Sequence, residues 1–352
     1  MARRILVTGG LGYIGTHTSL LLLEAGYSVF IVDNYSNSNA GALERLKDVT
    51  EHPERIAFVE ADIRDRAALD GVFQQAKDED SPIFGCIHFA AYKAVGESIR
   101  EPLKYYDNNV GGSISLIETM KKHNCKIMVF SSSCTVYGSA PSPVTESSPV
   151  GSGITNAYAQ TKYTMEQMLR HVHGSDNSWQ IALLRYFNPV GAHQSGKLGE
   201  DPRGIPNCLM PYVLQVLVGR REKLTVFGSD YPTRDGTCIR DYIHVVDVAR
   251  GHIDALKWLE ANPDGVIDHF NFGTGKGTTV LELIAGLELA SGKKVNKCIG
   301  NRREGDLAEM YCANLEKAKT ILGWEARYGI QQICEDAWRF QVNNPMGYHE
   351  LI

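Results

Sequence analysis

Tyr158-Ala159-Gln160-Thr161-Lys162 sets a phenol and an ammonium four residues apart, on one face of a helix that carries them. Ser131-Ser132-Ser133 precedes them at the end of a β-branched, apolar run. A phenol of pKa about 10 is a poor base near neutrality, and lowering it by three units takes about 4 kcal/mol. One unit charge about 4 Å away supplies roughly that at an effective dielectric of 20. Lys162 can be such a charge, and Ser133 can hydrogen-bond a sugar-like hydroxyl and share its proton's path to Tyr158. That is chemistry for deprotonating an alcohol, the proton half of a hydride transfer. The spacing alone carries little, because chance would supply it somewhere in a chain with 16 tyrosines. The alternative is an ion or packing pair on a helix surface. What argues against that alternative is where the set falls among the predicted elements.

A second constellation completes the chemistry. Gly9-Gly10-Leu11-Gly12-Tyr13-Ile14-Gly15 follows an apolar strand and opens an amphipathic helix, with glycines at Gly9, Gly12 and Gly15. Such a turn lets helix-start amides approach a pyrophosphate. The next apolar run ends in Asp33, 18 residues past Gly15, where a carboxylate can accept both hydrogen bonds of an adenosine ribose diol. Asn34-Tyr35-Ser36 follows, with no adjacent Arg or Lys to meet a 2′-phosphate, so NAD is expected rather than NADP. An oxidised nicotinamide ring would be a second positive charge near Tyr158.

The elements that must position these groups are short β-branched runs alternating with amphipathic segments. The strands are expected at Ile5 to Thr8, Ser28 to Asp33, Ile56 to Asp62, Cys86 to Ala90, Lys126 to Ser133 and Gln180 to Asn188. Helices are expected at Tyr13 to Ala25, Arg66 to Lys77, Pro102 to Lys122 and Asn156 to His173. This is an α/β class pattern, a doubly wound parallel sheet of the Rossmann type with ligands at the strands' carboxyl ends. Ser133 then ends the fifth strand and Tyr158 opens the next helix, both on the cofactor crevice. After Asn188 the texture turns to a Gly- and Pro-rich loop. The division expected is residues 1–188 as the dinucleotide-binding domain and 189–352 as a smaller α/β substrate domain. A return to the first is expected near 237–262, with Ile239 to Val245 as a strand and Phe270 to Phe272 left to the small lid.

Composition narrows the partners. Hydrophobic residues make up 43% and charged residues 22%, so the chain can bury a core and is not disordered. Lys plus Arg number 36 against 41 Asp plus Glu, a net charge of −5, which offers no basic field for nucleic acid or an anionic membrane. Anionic ligands must be held by local arginines and backbone amides. The eight cysteines include no Cys-x-x-Cys pair and no zinc-ligand spacing, and no metal is expected. They read as reduced thiols of a cytoplasmic protein, and no apolar stretch approaches the roughly 20 residues of a membrane span. His193 and His244 lie near the expected site and read as ordinary polar residues.

Together the glycine turn, Asp33 and the Ser133/Tyr158/Lys162 set resemble the extended short-chain dehydrogenase/reductase family. Phe89 to Ser98, Tyr105 to Val110, Arg185 to Ala192, Arg240 to Val245 and Arg302-Arg303-Glu304-Gly305-Asp306 narrow the resemblance to its UDP-glucose 4-epimerases, nearly end to end. The resemblance implies catalysis by Tyr158, Ser133 and Lys162. It implies cofactor contacts at Tyr13, Ile14, Asp33, Asn34, Asp62, Ile63, Phe89, Lys93, Asn108, Tyr158, Lys162 and Phe187. It implies nucleotide-sugar contacts at Ser133, Tyr158, Asn188, Leu209, Phe227, Arg240, Arg303 and Asp306, and a homodimer. The arginines suit a diphosphate on chemical grounds, since a net-acidic protein needs guanidinium clamps; the alternative is ion pairing with Asp241 and Asp306. Cys208 departs from the family's pattern, where an asparagine is expected beside the sugar nucleotide. Met310 falls at a position where members vary between a bulky tyrosine and a smaller residue, and which limits the sugar's 2-substituent.

The implied reaction inverts C4 of UDP-glucose and UDP-galactose, with NAD⁺ as transient hydride store. A 4,6-dehydratase would share the first oxidation but needs a further acid and base, an Asp-Glu pair after the serine; here Cys134-Thr135 stand there. A non-catalytic NAD-binding regulator would have no need of Tyr158 and Lys162.

Overall fold

The computed structural model describes residues 2–303 and 306–348. Glu304 and Gly305 of the arginine-containing run, and residues 349–352, lie outside the described residues. The first half alternates β1 (Arg4–Thr8), α1 (Tyr13–Glu24), β2 (Ser28–Asp33), α2 (Gly41–Val49), β3 (Ile56–Glu60), α3 (Arg66–Asp78), β4 (Ile83–His88), α4 (Val95–Arg100), α5 (Pro102–Tyr105), α6 (Gly112–Lys122), β5 (Ile127–Ser133), α7 (Ala157–Ser175) and β6 (Gln180–Tyr186). Beyond it run β7 (Asn188–Val190), α8 (Leu209–Leu217), β8 (Leu224–Phe227), β9 (Ile239–Arg240), β10 (Tyr242–His244), α9 (Val245–Glu260), β11 (Val266–Phe272), β12 (Thr278–Thr279), α10 (Val280–Ser291), β13 (Lys297–Gly300), β14 (Glu309–Met310) and α11 (Ile330–Asn343).

Seven strands form one parallel sheet in the order β11-β6-β5-β4-β1-β2-β3. The chain winds outward from β1 to β3, then returns to β4 and winds the other way, so the crevice opens between β1 and β4 at their carboxyl ends. Both faces are covered, and strand alternation divides the core accordingly. Ile5, Val7, Val29 and Ile31 face the helices α1, α2 and α9, while Leu6, Phe30 and Val32 face α3, α6 and α7. A third core joins α8, α10 and α11 to β8, and holds the segments after β7 together.

Two expectations are corrected. The return to the sheet is made by β11, which pairs along its whole length with β6, so Phe270–Phe272 belongs to the central sheet and not to the lid. Ile239–Val245 adds no strand there. It splits into β9, which pairs with β12 and β14, and β10, which pairs with β7. Apolar, β-branched content marks both segments as strands but says nothing of which edge each finds. The helix expected across Pro102–Lys122 is interrupted by a π-helical turn at Tyr106–Gly111, which carries Asn108 and Asn109, both buried.

The turn after β1 depends on two glycines. Gly9 takes φ +66°, and a Cβ there would stand 2.8 Å from the Ala90 amide nitrogen. At Gly15 a Cβ would come within 2.3 Å of the Gly9 carbonyl oxygen. The helix therefore seats on the turn only because Gly15 has no side chain. Gly15→Ala is expected to destabilise the protein by about 1–3 kcal/mol through overpacking. Gly71→Ala, within α3 and with nothing within 4 Å of the added methyl, is expected to stabilise it by about 0.5–1 kcal/mol. Denaturant melts of the two variants check the contrast.

Candidate functional site

The residues expected to hold a dinucleotide gather at the carboxyl ends of β1, β2, β3 and β4. The α1 helix starts at Gly12 with no side-chain cap, leaving its first amides directed at the crevice. Asp33, buried at the end of β2, accepts from the Leu11 amide at 3.1 Å and from the Tyr35 amide at 2.9 Å and Ser38 Oγ at 2.7 Å. One carboxylate thus fixes both the glycine turn and the loop after β2. An ionised carboxylate offers about four lone-pair sites, so about one remains free for a ligand hydroxyl, and a second ribose hydroxyl would have to displace a resident donor. Asn34 Nδ2 donates to Asp62 at 2.9 Å, and Arg64 pairs with Asp62 at 2.8 Å, which holds the Asp62 pKa down to about 2. Ile63 and Asn108 are buried beside this turn, and Ile63 packs on Gly112. Tyr13 Oη donates to the Gly191 carbonyl at 2.7 Å, tying the start of α1 to the loop after β7. Ile14 packs against the core on the same helix.

The proton-transfer set is built by seating α7 on the end of β5. Asn156 caps α7 by accepting from the Ala159 amide at 2.9 Å, which fixes Tyr158 in the first turn, at the positive end of the helix. Lys162 Nζ donates to the Ser131 carbonyl at 2.5 Å, and Ser132 Oγ donates to Glu166 at 2.6 Å. Ser133 Oγ accepts from the Thr135 amide at 3.2 Å and stands beside the Tyr158 phenol. Burial raises the phenol's pKa, and Ser133 and Lys93 act against it. Lys93 was expected only as a cofactor contact. Burial also acts on Lys162, lowering its pKa to about 7.

Residues from the second half complete the cleft. Phe187 is buried after β6, its amide donating to the Phe272 carbonyl at 3.3 Å, and Asn188 opens β7 with its amide on the Asp241 carbonyl at 3.0 Å. Arg240 on β9 pairs with Asp306 at 3.1 Å, while the Arg303 guanidinium lies 4.7 Å over the Phe227 ring at the end of β8. Leu209 begins α8 immediately after Cys208. Burial raises the Cys134 thiol and Arg240 opposes that rise, while Cys134 and Cys208 both act on Tyr158, so these segments share one space. Asp241 is no partner of Arg240: it is buried, accepting from Thr274, Gly275 and Cys312. Met310 is buried among Cys134, Phe187 and Cys312. His244 bonds Asp336 at 3.2 Å and caps α9, and no group of three metal-ligating side chains exists among the described residues.

Three features escaped sequence reasoning. Glu166 is bonded twice to Arg185 of β6, at 2.8 and 2.5 Å, entirely inside the protein. Glu200 reaches Lys93 at 3.4 Å. Asn109 clamps Tyr92 and donates to Thr161 Oγ1 of α7 at 3.0 Å. Only Glu166 left a signal, standing four residues after Lys162 on the same helical face.

The profile of the GDP-mannose 4,6 dehydratase family matches residues 6–337. UDP-glucose 4-epimerase 2 of Arabidopsis thaliana is 53% identical over 351 residues, covering 99% of this chain and 98% of that protein. The chain belongs to the UDP-glucose 4-epimerase family. UDP-glucose 4-epimerase of Bacillus subtilis (strain 168) is likewise 53% identical over 345 residues, 98% of each chain. In structure it resembles the UDP-glucose 4-epimerase from Bifidobacterium longum in complex with NAD⁺ and UDP, with a TM-score of 0.91, 46% identity and coverage of 98% of this chain and 99% of that one. The seven-stranded doubly wound sheet is thus the architecture of that family.

Asp33 is the test of the cofactor pocket, because its loss removes both the acceptor and the bond that holds the glycine turn through the Leu11 amide. Asp33→Ala is expected to release dinucleotide during gel filtration, while the wild type retains it. Assay of nicotinamide in the supernatant of denatured protein checks this.

Proposed function

We propose that this protein is an isomerase that interconverts UDP-glucose and UDP-galactose at C4 with NAD as its bound cofactor. The observation that carries the reading is the convergence of Ser133, Tyr158 and Lys162 at one strand end with Arg240, Arg303 and Asp306 across the same cleft. The uncapped helix start, the Gly9–Gly15 turn and Asp33 suit a dinucleotide in chemistry, and the absence of a cation at residues 34–36 favours NAD over NADP. When bound, NAD supplies reversible storage of the C4 hydride.

The chain's own residues supply the rest. Tyr158 takes the 4-hydroxyl proton and returns it, with Ser133 bonded to the same hydroxyl. In the resting protein the phenol is protonated, since burial raises it, and Lys93 with Lys162 provides the positive charge that makes it a base. Arg240 and Arg303 hold the diphosphate, while Phe227, Leu209 and Asn188 line the nucleotide and sugar. Tyr13, Ile14, Asn34, Asp62, Ile63, Phe89, Asn108 and Phe187 enclose the cofactor. Because the hexose must present both faces to one hydride store, firm anchoring belongs to the UDP end, where the two arginines lie.

The dehydratase named by the family profile is the weaker reading. Elimination needs an acid or base beyond Tyr158, and the residues after Ser133 are Cys134 and Thr135. Burial pushes the Cys134 thiol up to about 12, too high for that work near neutrality.

Two further parts of the reading concern the whole particle. Among the described residues no helix is long and apolar enough to cross a membrane, and the free cysteines suit a cytoplasmic setting. A homodimer is supported by Ile99 at 57% exposure and Leu103 at 81%, with Val95, Tyr106 and Ile114 exposed nearby on α4 to α6.

Incubation with UDP-galactose and no added NAD is expected to yield UDP-glucose, and strict dependence on added NADP would overturn the reading. Tyr158→Phe is expected to lower kcat by about 10²–10⁴ while substrate affinity changes only a few-fold. Ile99→Glu/Leu103→Glu is expected to halve the particle mass in light scattering, because two charges replace the most exposed apolar side chains of that face.

A further inference from the structure

Tyr158, Lys162 and Glu166 succeed one another at four-residue intervals on α7, and each meets a different one of the three serines that end β5, Ser133, Ser131 and Ser132 respectively. The groups facing Lys162 can be named from every side. Glu166 faces it from α7, the Ser131 carbonyl and the Phe130 ring from β5, and His88 from β4. His88 is bonded to Thr8 at 2.6 Å and Ser113 at 2.7 Å, and burial lowers its pKa to about 3, so it stays neutral. Arg185 and Tyr186 on β6 lie behind Glu166 and Ser131, in contact with them. Among the described residues Glu166 is therefore the one anion directed at Lys162.

We propose that Glu166 is a positioning residue of the reaction, which keeps Lys162 charged and seated at the end of β5 while Arg185 holds the carboxylate in place. The inference rests on the role given to Lys162 above. Lys162 is 5% exposed, and its only hydrogen bond among the described residues is to a neutral carbonyl, so burial works against its ammonium. Glu166 is the group that opposes burial there. Arg185 grips both carboxylate oxygens, and Tyr137 bonds the guanidinium at 3.2 Å and Asn271 at 2.7 Å. The carboxylate is thus held by three donors and cannot swing away from the helix face it shares with Lys162.

The test separates charge from packing. NMR of lysine ε-methylene carbons, with the missing signal of Lys162→Met as assignment, reads the titration of Lys162 directly. In Glu166→Gln the midpoint is expected to fall by about one pH unit, an approximately tenfold loss of charged Lys162 on the alkaline side. The turnover optimum should move to lower pH with it, so that acidification restores kcat while KM stays within a few-fold. Glu166→Asp keeps the charge and is expected to keep the midpoint near wild type despite a looser contact with Ser132. If Glu166→Gln fails to fold, Glu166→Gln/Arg185→Met leaves no unpaired buried guanidinium and is expected to lower the Lys162 midpoint in the same direction. An unchanged midpoint in a folded Gln variant, or an equal shift in the Asp variant, overturns the proposal. The absence of epimerase turnover in the wild type would count against the proposed function instead, and the lysine titration remains readable in that case.

Discussion

The seating of α7 on the last three residues of β5 is the contact on which the site depends. The Ser131 carbonyl takes Lys162, the Ser132 hydroxyl takes Glu166 and Ser133 stands against Tyr158, so helix rotation and strand register are set together. A helix turns 100° per residue and a strand 180°, so three successive strand residues meet one helical face only if the helix crosses near the strand end. Glu166 locks that crossing to β6 through Arg185. Removing one member of such a buried pair leaves an uncompensated charge, which typically costs about 3–5 kcal/mol. The interaction is therefore strict about geometry whatever its net contribution to stability.

The parallel sheet explains why one contact can organise so much. All seven strands point their carboxyl ends the same way, and the winding reverses between β1 and β4. Loops after β1, β2, β3 and β4 therefore meet the ends of β5 and β6 across one crevice. The close approach of α1 to the turn, possible only without a side chain at Gly15, lets helix-start amides and Asp33 face the same space as Tyr158. Segments after β7 return through α9 and β11, which is why Phe187 and Asn188 can bond at once to the sheet edge and to the segment carrying Arg240.

What could be read from the sequence was what chemistry writes locally. The glycine turn, Asp33, and the Tyr158–Lys162 spacing each lie within one turn or one helix face, where a few residues dictate geometry. The first six strands are legible for the same reason, with the ends of β1, β2 and β5 as expected and those of β3, β4 and β6 two residues earlier. The pairing of β11 with β6 was not, because β10 and β11 are equally apolar and edge choice is a tertiary matter. Likewise Glu200 lies 107 residues from Lys93, and nothing local joins them. The π-helical turn that buries Asn108 and Asn109 hides inside a run whose periodicity reads as one continuous helix.

The cations of the cleft are not free. Lys93 is held by Glu200, Arg240 by Asp306, and Arg303 lies on the Phe227 ring. In a chain of net charge −5 this arrangement has a physical rationale. An unpaired guanidinium in a narrow cleft would repel its neighbours and swing toward solvent, whereas a carboxylate partner keeps it folded into place. A diphosphate entering the cleft then exchanges or shares partners. The attraction it feels is the difference between its own contacts and those of the resident carboxylates. Such a difference is smaller than the bare attraction, but it orients the ligand by geometry, because only an anion that reaches both arginines at once replaces the contacts it displaces. On the proposed function, an anchor of that kind would fix the diphosphate end while asking little of the hexose, which is the freedom that inversion at C4 requires.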